Sequence, residues 1–270
     1  MLKIAGLSKT FHAGTVNEVR SLRNVSLELE PGSFTAIIGT NGSGKSTLLN
    51  AIAGVFKPDS GSIDLDQRNI TNWAEHRRAQ FIGRVFQNPF AGTAQDMTIA
   101  ENIAIAMQRG RRRGLGRAVT NSLREVIAER VRTLKMGLED RLDNPIGTLS
   151  GGQRQALTLL MATWAQPKLL LLDEHTAALD PKSAAKVAEL TREIISREQL
   201  TALMVTHSMQ QAVDLPERII MMHKNEIIED YQRERKQRAR VPDLIATFDR
   251  VQKRELLDEG VAEMLRTQYV

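Results

Sequence analysis

Cysteine is absent from the 270 residues, so the chain can build neither a disulfide framework nor a thiolate metal site, a composition that suits a reducing compartment. Aromatic residues make up only 4%, and none interleave with the densest basic run as a base-stacking platform would require. Long apolar runs are missing as well. The densest, Leu169 to Leu172, stops at Asp173, far short of the ~20 residues that span a bilayer. Met1 to Thr10 lack the apolar core of a signal peptide. Together these absences predict a soluble chain that handles no nucleic acid and reaches a membrane only through partners.

What is present is an ordinary globular balance, with 41% hydrophobic residues and 37 basic against 32 acidic side chains for a net charge of +5. An excess of that size reads as a solvated surface before it reads as a binding face. The length fits one α/β domain. Ser26 to Glu30 alternates as a half-buried strand, and Pro31-Gly32 turns it. Phe34 to Ile38 reads as a buried strand, Ser46 to Ala53 as a helix stopped by Gly54, and Ser62 to Leu65 as a further strand. From about Ala91 to Gln166 the pattern turns helical, clearest over Ile99 to Gln108 and Ser122 to Lys135. Strand signals return at Leu169 to Leu172 and Ala202 to Val205, with a helix over Ser183 to Ser196 between them. Ile219 to Met222 and Glu226 to Ile228 read as a closing hairpin. The expectation is a parallel α/β core carrying a helical insertion.

Three motifs bear chemistry. Gly39-Thr40-Asn41-Gly42-Ser43-Gly44-Lys45-Ser46, followed by Thr47, fits the pattern G-x-x-x-x-G-K-[ST]. Its glycines let the backbone curl so that successive N–H groups point at phosphate oxygens. Lys45 would reach the β- and γ-phosphates of a nucleotide, and the Ser46 hydroxyl would ligate Mg²⁺. The helix that follows would offer its positive end to the same anion. Leu169 to Leu172 runs into Asp173-Glu174. Open α/β sheets bind ligand at the carboxyl ends of their strands. That places Asp173 near the metal and Glu174 where it can take a proton from an attacking water. By itself an acidic pair at a strand end is as readily a surface feature, and the phosphate loop gives it its weight. The third motif, Leu149-Ser150-Gly151-Gly152-Gln153, opens a helix expected over Arg154 to Ala165. A cap explains Ser150, but not Gly-Gly-Gln.

In this order the motifs resemble those of the ATP-binding subunits of ABC transporters, over about Leu2 to Glu229. The resemblance implies a P-loop NTPase fold, α/β with a RecA-like mixed-sheet core over about 1–90 and 166–232. A helical signature subdomain would span about 91–165, and a C-terminal helical extension about 233–270. ATP and Mg²⁺ are the implied cofactors. The implied assembly is a head-to-tail dimer holding two ATP molecules, the phosphate loop of one chain facing Ser150, Gly151, Gly152 and Gln153 of the other. Gln87, in Val85-Phe86-Gln87-Asn88, looks like the residue that senses Mg²⁺ and the water. His207, directly after the strand Ala202 to Val205 and Thr206, looks like the switch on the γ-phosphate. Asp180 looks like the acid that communicates across the dimer interface. Phe11 stands where the family's adenine-stacking aromatic, most often tyrosine, is found, and it keeps the π-face, with His12 the second choice.

Other features depart from the family or fall outside its motifs. His175 follows Glu174 where most members have proline, and an ionisable ring there would bring a pH effect. Arg109 to Arg117 is the densest basic run, read as a solvated loop ahead of a contact with anionic headgroups or an acidic partner. Beyond Arg233 to Arg240 a helix is expected, with Leu244, Ile245, Phe248 and Val251 on one face packed against the core.

The implied function is that of the ATP-hydrolysing subunit of a transporter, docked to integral permease subunits on the cytoplasmic face of the inner membrane. The alternatives are the ATPase of an exporter or lipid transporter, and a soluble ATPase acting on nucleic acid or ribosomes. Ser150 lies only 105 positions after Lys45, too few for the coiled coil of DNA-repair members. The single cassette argues against ribosome-associated ones. A P-loop kinase or GTPase would leave Leu149 to Gln153 unexplained. Leu172 to Pro181 and Leu149 to Thr163 look like a branch that pairs one type of permease with a lipoprotein-like binding protein. That resemblance implies import of aromatic or related hydrophobic amino acids with an extracytoplasmic binding protein.

Overall fold

The computed structural model describes residues 1–110, 119–251 and 253. Phe34 to Gly39 forms a strand, β3, that buries five of its six residues. A two-residue period sends neighbours to opposite faces, so Ala36 and Ile38 enter one core while Ile37 enters another. The same division runs through β7 (Leu169–Asp173) and β8 (Ala202–Val205). Leu170, Leu172, Ala202 and Met204 lie in the first core, and Leu169, Leu171, Leu203 and Val205 in the second. The six-stranded sheet has the order β10 (Glu226–Tyr231), β9 (Arg218–His223), β3, β8, β7, β6 (Ile82–Val85). Its pairings are parallel except that β10 folds back antiparallel on β9.

Strands apolar on both faces need cover on both. One face receives α1 (Lys45–Ala53) and a four-stranded antiparallel sheet in the order β2 (Val19–Leu29), β1 (Leu2–Phe11), β4 (Ser60–Leu65), β5 (Arg68–Asn69). The other receives α5 (Gly151–Thr163) and α6 (Pro181–Glu198), with α3 (Ile99–Met107) and α4 (Asn121–Arg132) in the same core. The antiparallel sheet adds to the expected parallel core. The strand anticipated over Ser26 to Glu30 is only the end of β2. Helix boundaries also move, two of them by three residues. Ser150 caps α5 so that it starts at Gly151 rather than Arg154, and α4 stops at Arg132, ahead of Lys135 with its φ of 55°.

The short helices α2 (Glu75–Arg78), α7 (Met209–Asp214) and α8 (Arg233–Arg238) complete the layers. A last helix, α9, covers 241–251. Leu244 and Phe248 are buried in the core that α5 lines, but Ile245 is 47% exposed. The expected stripe is therefore narrower, because Ile245 sits about 100° around the helix from Leu244. At Arg109 itself the reading of a solvated loop does not hold. Its guanidinium donates to the carbonyls of Met161 and Ala162 at 3.2 and 2.9 Å, where the end of α5 carries negative partial charge. Burial holds its pKa below the usual arginine value. The rest of that run, 111–117, and the tail 254–270 lie outside the described residues. Among the described residues no helix is long and apolar enough to cross a membrane.

Candidate functional site

The phosphate loop leaves β3 at Gly39, where a Cβ would collide with the Met222 carbonyl and sit 2.6 Å from Ser43 Oγ. Gly42 and Gly44 then adopt left-handed φ of 75° and 93°, which glycine enters without a Cβ clash. Gly44 is the N-cap of α1 and brings no side chain to it. By contrast Thr98, Thr120, Ser150 and Asp180 each cap α3, α4, α5 and α6 with a side-chain oxygen. The first-turn N–H groups of α1 are thus left for an anion. Lys45 is 5% exposed and folds back over the loop, its Nζ donating to the carbonyls of Gly39 at 3.0 Å and Thr40 at 2.9 Å. Burial lowers the pKa of this ammonium, while the carboxylates of Glu174 and Asp173 pull it back up. Neutral carbonyls are weaker partners than phosphate oxygens would be.

The acids arrive on β7, whose Asp173 pairs in register with Val205 of β8. Arg84 on β6 reaches Asp173 Oδ2 at 3.3 Å and Asn50 of α1 at 2.7 Å. Glu174 takes a left-handed φ of 45°. Its N–H donates to the Val205 carbonyl at 2.9 Å, and its Oε1 lies 2.8 Å from His207 Nε2. The fold thereby gathers the phosphate loop, the acid after β7 and the histidine after β8 around one cavity of about 380 Å³, bounded by Asn41 to Thr47, Glu174, His207, Val19, Ser21 and Asn225. The last three escape sequence reasoning because only the sheet geometry brings the second strand and the β9–β10 turn to the loop. Among the described residues no cluster of three His, Cys, Asp or Glu can hold a metal. The Ser46 hydroxyl and Asp173 carboxylate are hard oxygen donors that fit Mg²⁺ sharing phosphate oxygens, its habit with nucleotides.

Other expected residues stand apart from this cavity. Phe11 packs edge-on against Phe56 with centroids 5.1 Å apart and Lys9 Nζ 5.4 Å from its ring. It pairs with Val19 across β1 and β2, which puts it beside the cavity and not in its lining. Gln87 is exposed after β6. Ser150 and Gln153 are engaged in a capping box on α5, at 3.3 and 3.2 Å. With Gly152 they line a separate depression of about 240 Å³ that includes Lys182, Ser183 and Lys186. Gly151 is exposed beside them, and a Cβ there would meet only the Leu179 side chain, at 3.2 Å. Asp180 accepts from Ser183 N at 3.0 Å at the start of α6, and the Ser183 hydroxyl and backbone N–H hold its carboxyl below the usual range. His175 overturns an expectation. Its ring is 2% exposed, bonded to Thr191 of α6 at 2.9 Å, and burial pushes its pKa down to about 4. It stays neutral near pH 7, so the anticipated pH effect does not arise there.

Residues 22–177 match the ABC transporter family. The chain is an ABC transporter ATP-binding subunit. Over 252 residues it is 42% identical to the tyrosine transport ATP-binding protein of Clostridioides difficile (strain R20291), covering 92% of this chain and 99% of that protein. Similarity at 36% over 213 residues extends to a lipoprotein-releasing system ATP-binding protein of Caulobacter vibrioides, with 77% of this chain and 86% of that protein covered. Among solved structures, a dimeric ATP-binding cassette in a post-hydrolysis state bound to ADP and Pi superposes with a TM-score of 0.74 at 28% identity. That match covers 86% of this subunit and 98% of the other chain. The subunit therefore binds ATP and hydrolyses it, on the α/β fold of the ABC cassettes.

Proposed function

We propose that this ABC subunit works as a dimer that drives import of an aromatic or related hydrophobic amino acid through a membrane permease. One observation carries the dimer. The phosphate loop, Glu174 and His207 share a cavity, whereas Ser150, Gly152 and Gln153 line a separate depression with Gly151 exposed beside them. Each chain then supplies two half-sites, and a second copy completes each. Lys45 exchanges the Gly39 and Thr40 carbonyls for the β- and γ-phosphates of ATP. Ser46 and Asp173 hold Mg²⁺, which neutralises charge on the phosphate oxygens. Gln87 lies two residues beyond the pair Val85–Leu172, as Glu174 does on the neighbouring strand, and senses the metal and the water. Glu174 accepts the proton of the attacking water, and His207 contacts the γ-phosphate. Phe11 stacks on adenine, and Asp180 reports across the interface.

The cargo assignment is supported by the near full-length similarity to a tyrosine transport ATP-binding protein. We place the subunit on the cytoplasmic face of the membrane, held by its permease, with an extracytoplasmic binding protein delivering substrate. A cleft of about 490 Å³ is lined by Ala53, His76, Ala79, Phe86, Ile105 and Met161 among others, and it is the proposed permease seat. This keeps the division into a core, a helical subdomain over about 91–165 and a C-terminal extension. Reconstitution in liposomes with the permease and a binding protein loaded with tyrosine, phenylalanine or tryptophan tests the reading. Inward, ATP-dependent accumulation is expected. Outward movement of lipid or drug without a binding protein would overturn direction and cargo together.

A further inference from the structure

Glu174 needs outside support. Its φ of 45° is a conformation that glutamate rarely adopts, and such backbones persist only where the surroundings over-determine them. Two sets of side-chain hydrogen bonds flank it. On one side the His175 ring meets Thr191 Oγ1 at 2.9 Å, and the Thr191 hydroxyl donates to the Val187 carbonyl at 2.8 Å. A hydroxyl has one proton. With that proton directed at Val187, Thr191 can only accept from His175, so Nε2 carries the hydrogen and the ring is tied to α6. On the other side Gln211 Oε1 on α7 accepts from Thr176 at 3.0 Å and from Thr206 at 3.4 Å. Thr176 is two residues after Glu174, and Thr206 immediately precedes His207. The Gln211 end of this link is itself fixed. Its backbone N–H donates to Ser208 Oγ at 3.2 Å, and Ser208 N–H donates to Thr206 Oγ1 at 3.0 Å.

We propose that His175 and Gln211 are positioning residues that hold the Glu174 carboxylate within hydrogen-bond reach of His207. His175 anchors the residue after Glu174 to α6, and Gln211 fastens the loop that follows β7 to the loop that follows β8. Neither side chain lines the nucleotide cavity, so neither is a catalytic residue. The two loops move as one body, and the 2.8 Å contact between Glu174 and His207 is preset before nucleotide arrives. This inference rests on Glu174 acting as the proton acceptor.

The test uses the full chain with its permease, and it separates rate from affinity. Variants Thr191→Val and Gln211→Leu remove one partner each with little change of shape, and His175→Ala removes the ring. Each is expected to lower kcat by about tenfold or more while the Kd for Mg·ATP stays within about twofold, since a misplacement near 1 Å costs rate and not binding. His175→Gln retains an N–H donor and Gln211→Glu retains an acceptor oxygen, and both should recover most of the lost kcat. If Thr191→Val and Gln211→Leu keep wild-type kcat, the proposal is wrong. It is equally overturned if kcat, Kd and the melting temperature fall together and the conservative variants rescue none of them. Wild-type turnover by Glu174→Gln would instead remove the underlying role of Glu174.

Discussion

Glu174 combines a strained backbone with the only carboxylate that lines the cavity among the described residues. If Glu174 is the proton acceptor proposed above, Glu174→Gln keeps the shape and loses that function, so ATP should bind while kcat falls by at least about 100-fold. Trapped dimers on size-exclusion chromatography, absent with ADP, would check this. His175 makes a prediction of opposite character, about stability. Its pKa is about 4 in the fold and near 6.5 in an unfolded chain, so between these values the unfolded state binds more protons. Stability from the buried neutral ring is then complete above about pH 6.5 and declines as pH falls toward 4, by about 3 kcal/mol in all. Urea midpoints at pH 4.5 and 7.5 should diverge more for the wild type than for His175→Gln. An identical divergence would contradict a depressed histidine. Nothing in the sequence announced this burial, because a histidine beside two acids reads as a polar loop residue until the ring is seen turned into α6. Lys45, Ser46, Asp173 and Glu174 were legible because their chemistry demands fixed spacing along one turn or one strand end.

Among the elements, α1 is treated differently at its two ends. Its start is left open by Gly44, while its last carbonyls, Ala51 and Ile52, accept from the buried guanidinium of Arg78 at 2.8 and 2.9 Å. The same guanidinium also serves Thr71 and Trp73, and burial lowers its pKa to about 10, so it remains charged at neutral pH. Arg78→Met orphans several buried carbonyls and should cost about 3 kcal/mol or more in denaturant unfolding. At α5 the change Gly151→Asp should be tolerated sterically, because only the end of Leu179 must yield. Its carboxylate faces phosphate across the proposed dimer, so ATP hydrolysis should vanish while nucleotide binding by the monomer survives. A mutant that no longer binds ATP as a monomer would mark the signature as a local structural element. Legibility varied by strand for physical reasons. β3 and β7 are unbroken apolar runs. In β1 the buried Leu2 and Ile4 are followed by Leu7, since a bulge at this point shifts the period by one residue. β6 holds Gly83, where a Cβ would lie 2.5 Å from the Ala162 carbonyl, so close packing on α5 put a weak strand former into a strand.

For the molecule as a whole, the cleft beside α3 offers Ile105, 47% exposed, as an apolar contact. Ile105→Glu should leave ATP binding intact and prevent copurification with the permease; unchanged assembly would place the permease elsewhere. That the phosphate loop and the start of α5 line separate depressions could not be read from the sequence, since spacing along a chain does not say where a helix start comes to lie. The central sheet has a consequence of its own. Because consecutive residues of β3, β7 and β8 are shared between two cores, neither layer can detach without stripping the same backbone of half its cover. The amide hydrogens of these three strands should therefore exchange with deuterium only when the whole domain opens, all with one common opening free energy. Nucleotide that binds at their ends should slow that exchange along their full length, including in residues whose side chains face away from it.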